Sequence, residues 1–138
     1  MLICSHQLNT KIEGYAKILH AGSDNANISL DASQQATKQF IVTVPDSYDK
    51  YYAIITNKCT VSGAGTNGKR MYVSASVNET SLAGTSYGNI GDVVNYISNT
   101  EITTVNAGDK IGTNVLNGSD TTRTLSAIHT YVLLFPVF

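Results

Sequence analysis

Tryptophan is missing from this chain, proline and cysteine occur twice each, and charged residues fill only 14% of its 138 positions. Ordinary globular domains carry about 25% charged residues. Each scarcity excludes something. Two cysteines, Cys4 and Cys59, are too few for a disulfide scaffold. One pairing between them is geometrically open, but two free thiols acting as small apolar residues is the preferred reading. The nine Lys and Arg are scattered, Lys69-Arg70 is the one adjacent pair, and the formal net charge is −1. Nucleic-acid binding without sequence preference needs clustered cations to displace counterions, so no nucleic-acid partner is expected. No apolar run approaches the roughly 18 residues of a spanning helix, and no membrane partner is expected. Met1-Leu-Ile-Cys lacks a basic flank and breaks at His6 and Gln7, which does not read as a secretory signal. Folding in a cytoplasm is the expectation.

What fills the gap is Ser, Thr and Asn, residue types that suit strands and turns. Apolar residues alternate in many places and show helical spacing almost nowhere. Residues 12–19 read as a first strand or paired strands, interrupted at Gly14, and Asn27 to Leu30 as a short one. Asp31 to Lys38 reads as a loop or one helical turn capped by Asp31. Phe40, Val42 and Val44 share one face of a strand that Pro45 ends. Tyr51 to Asn57, Met71 to Val77, Glu101 to Val105 and Ile111 to Leu116 are further strands. Asp92 to Ile97 stays open between strand and helical turn. Eight to ten short strands at near-regular spacing predict an all-β antiparallel sandwich, jelly-roll-like, with little or no helix. Residues 1–22 read as an N-terminal strand or anchoring arm and 23–138 as the sandwich domain.

The last strand is unusual. Leu125, Ala127, His129, Tyr131, Leu133, Phe135 and Val137 fall on one face, and Ile128, Val132, Leu134 and Phe138 on the other. From Tyr131 onward both faces are apolar. A strand buried on one side should alternate to its end. Pro136 lacks a ladder donor and speaks against a central position. The reading therefore places a subunit contact here, with Tyr131, Leu133, Phe135, Val137 and Phe138 as the candidate oligomer interface.

Motifs for chemistry are weak. Gly63, Gly65 and Gly68 match a bare G-x-G-x-x-G, but no strand–helix context surrounds them, and a hairpin tip is the better reading. His6, His20 and His129 stand at no ligand spacing. His129 reads as a satisfied core or interface histidine, and His20 as solvated. Asp46, Asp49, Asp109 and Asp120 read as turn formers. No nucleophile elbow or acid pair is selected. The sequons at Asn27, Asn78 and Asn117 read as products of composition. Tyr48, Tyr51, Tyr52, Tyr72 and Tyr87 are placed at edges or loops. No catalytic residue, cofactor or metal site is expected, and the chain does not read as an enzyme.

The cadence Glu101-Ile-Thr-Thr-Val-Asn-Ala-Gly-Asp-Lys-Ile, followed by a polar turn and the long strand Thr124 to Val137, resembles the last strands of C1q/TNF-like jelly rolls. These include domains that tailed phages carry on head fibres, decorations and receptor-binding tips. Phe40-Ile-Val-Thr-Val-Pro and Tyr51-Tyr-Ala-Ile-Ile would be earlier strands. The resemblance implies a homotrimer with its terminal strand near the three-fold axis. It also implies a non-catalytic virion protein on the capsid or a fibre, with other virion proteins as partners. The alternative is a carbohydrate- or receptor-binding module for host attachment, meeting a host surface glycan through loops 62–69 and 78–91.

Overall fold

The computed structural model of the chain describes residues 16–62, 69–82, 86–90 and 95–138. Among these residues there is no helix, and ten strands follow one another: β1 (Lys17–Ser23), β2 (Ile28–Leu30), β3 (Gln35–Thr43), β4 (Lys50–Ser62), β5 (Lys69–Val77), β6 (Thr80–Ser81), β7 (Ser86–Ile90), β8 (Asn95–Asn106), β9 (Lys110–Asn117) and β10 (Arg123–Pro136). The first sheet has the order β1-β10-β4-β8, with β2 also pairing β10. The second has the order β3-β9-β5-β6, with β7 also pairing β5. All pairings are antiparallel. The chain crosses between the two sheets at six of the nine connections between successive strands, as in an antiparallel sandwich. Asp31 to Lys38 forms no helical turn: a turn leads into β3, which begins at Gln35.

β1 belongs to the sandwich. Its seven residues pair with Ile128 to Leu134, so the boundary drawn after residue 22 falls inside a strand. Residues 1–15, with Cys4 and His6, lie outside the described residues.

β10 corrects the reading of its position. It is central, with β1 and β2 on one side and β4 on the other. Pro136 is tolerated because it is the strand's last residue, where the missing donor interrupts no continuing ladder. The register shifts between Ser126 and His129, where Ala127 has φ of 46°. This bulge exchanges the two faces. Leu125 lies in the core with Ile128, Val132 and Leu134, not on the face of Tyr131 and Leu133 as strict alternation predicts.

Two apolar clusters fill the space between the sheets. Leu30, Cys59, Val61, Met71, Val73, Val115, Leu125 and Ile128 belong to one. Val44, Tyr51, Ile55, Ile111, Val132 and Leu134 belong to the other. Along β4, β9 and β10 the residue between the clusters is Asn57, Thr113 and Thr130, all fully buried. The Thr113 hydroxyl donates to Asn57 Oδ1 at 2.8 Å and meets the Thr130 hydroxyl at 2.6 Å. A second polar link joins the sheets nearby. Glu101 of β8 is buried, and its Oε2 accepts the Ala75 backbone N–H at 2.6 Å. β7 pairs with β5 only as far as Val73 and β6 only from Ser76, so the carboxylate completes the ladder edge at Ala75. A charged acceptor on a buried N–H makes a strong bond, and it commits Glu101 to structure.

Two further expectations change. Tyr51 is a core residue, not an edge one, and its hydroxyl accepts the Tyr48 N–H at 3.1 Å. Asn117 is fully buried rather than displayed on a turn, and its amide donates to the carbonyls of Leu30, Asp31 and Thr121. Its sequon is inaccessible in the folded chain. Asp109 does form its turn, accepting the Asn106 N–H at 2.7 Å beside Gly108 with φ of 81°.

Replacing Thr113 by Val keeps the shape and removes the hydroxyl that joins both neighbours. The expected cost is about 2 kcal/mol in urea denaturation, because two buried polar groups lose their partner; Thr113→Ser should cost less. Burial pushes the Cys59 thiol from 9.0 up to about 12. In a Cys4→Ser background it should resist Ellman's reagent at mildly alkaline pH when folded and react once unfolded in urea. The folded value is raised, so the thiol's contribution to stability is present in full below 9.0 and is lost as pH rises from 9.0 to about 12.

Candidate functional site on the outer face of the first sheet

Alternation sends every second residue of β1, β10, β4 and β8 away from the core, and the register aligns these side chains in rows. Ile18, Leu133, Ile54 and Ile102 form one continuous row across all four strands. Ile18 and Ile102 are 75% and 74% exposed, while Leu133 and Ile54 are half-buried between them. The next row holds Phe135, Tyr52 and Thr104, with Tyr52 54% exposed. On the other side lie His20, Tyr131, Thr56 and Thr100, whose two threonine hydroxyls meet at 3.0 Å. Gly22, His129, Lys58 and Ser98 follow. Between Lys50 and Lys58 the outward positions of β4 carry no charged side chain, and the facing positions of β8 and β10 carry no Asp, Glu, Lys or Arg.

Of the predicted interface residues, Tyr131, Leu133 and Phe135 therefore share this face. Val137 lies past the end of β10, its N–H bonded to the Lys50 carbonyl at 2.9 Å. Phe138 is exposed and meets Tyr48 edge to face, with ring centroids 5.5 Å apart. Sequence reasoning missed Ile18, Ile54 and Ile102. Each sits in an ordinary alternating strand, and only the register puts them in line.

A polar cluster occupies the end of the face near Gly22. His129 Nε2 lies 2.7 Å from Asp24 Oδ1, and its Nδ1 lies 2.9 Å from His20 Nε2. His129 is thus buried and satisfied, as expected for a core or interface histidine. His20 is exposed but bonded, which departs from the simple solvated reading. The two imidazoles are 10° from parallel with centroids 5.1 Å apart, so they meet nearly end to end, nitrogen facing nitrogen. That arrangement fits one shared hydrogen and leaves no room for an ion between the rings. Among the described residues no group of three or more His, Cys, Asp or Glu could hold a metal.

Local sequence explains the cluster. The Ser23 hydroxyl accepts the Asn25 N–H at 3.1 Å, closing a turn that presents Asp24 beside β10. A Cβ at Gly22 would stand 2.4 Å from His129 Nδ1 and 2.5 Å from the Ile128 carbonyl oxygen, so only glycine leaves space for the imidazole. The His20 ring stacks on Tyr131 at 4.4 Å. From the other neighbouring strand, the Lys58 ammonium lies 5.5 Å from the Tyr131 ring centroid, within cation–π range.

Elsewhere the described residues present an open cleft of about 420 Å³ lined by Lys17, Ser47, Tyr48, Tyr51, Leu134 and Pro136. No pair of acids or nucleophile with its base lines it. The glycine-rich tip at 63–68 lies outside the described residues.

No family model matches the chain, and no curated protein matches it in sequence. Solved structures do match, 150 chains of them, and a fold so widely shared selects no activity by itself. One is a crystal structure of dimeric latent PorU from Porphyromonas gingivalis, similar at a TM-score of 0.55 with 10% identity over 88% of this chain. The chain spans 13% of the length of that protein. At this identity the likeness is one of fold: an all-β sandwich.

Proposed function

We propose that the chain is a non-catalytic structural subunit of a tailed-phage virion, assembling as a homotrimer through the outer face of the first sheet. The carrying observation is the uncharged apolar face built on Ile18, Leu133, Ile54 and Ile102 and extended by Tyr52 and Phe135. Isolated exposed apolar residues need no explanation, but a contiguous patch marks an interaction site. Burying one such side chain contributes roughly 1.5–3 kcal/mol. Association costs about 4–15 kcal/mol in lost freedom, so several must be buried together, and this face offers several.

A second and third copy of the chain suit the face. It offers a charged partner little to pair with, and a net charge of −1 opposes self-association only weakly. The strand order supports the resemblance to C1q/TNF-like jelly rolls, since the terminal strand lies centrally in the sheet that bears the patch. Such domains usually form trimers with that strand near the axis. The low-charge Ser, Thr and Asn surface supports a place on a particle exterior.

Light scattering in solution should give three times the 14.7 kDa chain mass. Ile102→Asp should give a single-chain mass with an unchanged far-ultraviolet spectrum, because Ile102 is exposed within one chain. A monomeric wild type, or a trimeric Ile102→Asp variant, would overturn the assembly. Mass spectrometry of purified particles of a phage that encodes the chain should detect it, and its absence would overturn the virion role.

A further inference from the structure

At the polar end of the face one carboxylate and two imidazoles are joined in line by hydrogen bonds. The Asp24 carboxylate can only accept a hydrogen bond, so His129 carries its hydrogen on Nε2. Its Nδ1 is then an acceptor, and His20 must donate from Nε2. His20 Nδ1 keeps a free lone pair on an exposed side chain. The order Asp24, His129, His20 therefore has one self-consistent set of tautomers.

We propose that Asp24, His129 and His20 form a proton-operated latch that fastens edge strand β1 and the turn after it to β10. The first proton goes to His20 Nδ1. Every hydrogen bond survives, and the new charge lies in line with the Asp24 carboxylate. The second proton must go to His129 Nδ1. Two N–H groups then face each other across 2.9 Å, the shared hydrogen bond is lost, and two like charges stand side by side. Lys58 adds a further positive charge at the Tyr131 ring. Asp24 is the one acid in the cluster and already serves His129, and Tyr131, stacked on His20, contributes no charge at neutral pH. The doubly protonated pair is relieved by moving His20 away with β1. Among the described residues β1 pairs only with β10, so that movement breaks one ladder and lifts Leu19 and Ala21 from the core cluster they pack against. The latch is local to one chain and holds whether or not the face assembles.

Hydrogen exchange read by NMR tests this, with β1 amides compared against β4 amides to cancel the intrinsic pH dependence. Opening binds one proton more than the closed form, so the β1 opening constant should rise about tenfold per pH unit as the pH falls through the range in which the pair takes up its second proton. His20→Phe keeps a ring to stack on Tyr131 but has neither donor nor charge, and its β1/β4 ratio should be flat. A flat ratio in the wild type, or a wild-type slope in His20→Phe, would overturn the latch. Independently, imidazole 15N shifts near neutral pH should show both His20 and His129 as Nε2–H tautomers. A His129 Nδ1–H tautomer would overturn it even if the variant folds poorly.

Discussion

β10 pairs with three other strands, and everything on both faces of the first sheet depends on how it crosses the sandwich. Its first part, through Leu125, packs inward under one parity. After the shift at Ala127, Ile128, Thr130, Val132 and Leu134 pack inward under the other. A one-residue slip reverses the direction of every following side chain. Without the bulge His129, Tyr131, Leu133 and Phe135 would point into the core, and Val132 and Leu134 into water. The bulge places the aromatic and apolar run of the C-terminus on the outer face while a second apolar set fills the interior. Ala127 adopts a left-handed backbone to do this, a conformation disfavoured for a residue with a Cβ.

The interior is organised around the same crossing. Thr130 follows the bulge and meets Thr113 across the sheets, with Asn57 completing the contact. This polar layer divides the core into two apolar clusters, and its hydrogen bonds offset part of the desolvation it costs, since the buried Asn57 Nδ2 has no partner among the described residues. Uniformly apolar strands could slide past one another with little penalty. A buried hydroxyl and amide that must meet at one position tie the two sheets to a single alignment, and Glu101 adds a second tie at Ala75.

The outer face then has two regions of different chemistry. The row from Ile18 to Ile102 is apolar and uncharged. The end at Gly22, His129 and Lys58 is polar and holds the hydrogen bonds that join Asp24, His129 and His20. Both derive from register: the apolar row needs four strands in phase, and the histidine pair needs β1 set against β10 so that His20 lies diagonal to His129.

The sequence by itself determined the all-β class, most of the strands, the Asp109 turn and the apolar character of both faces of the last strand. These are local properties, set by period-two alternation and by turn residues that act within a few positions. It also marked Tyr131, Leu133 and Phe135 as outward candidates, because an apolar run without alternation is visible in one dimension. Tertiary structure alone decided that β10 is central, that Leu125 turns inward, that Tyr51 and Asn117 are buried, and that Ile18, Ile54 and Ile102 align with Leu133. It alone joined His20 to His129 across 109 positions. Pairing partners so distant in sequence leave no periodic trace along the chain. Which strand lies beside which, and in what phase, is fixed by packing the whole sandwich at once.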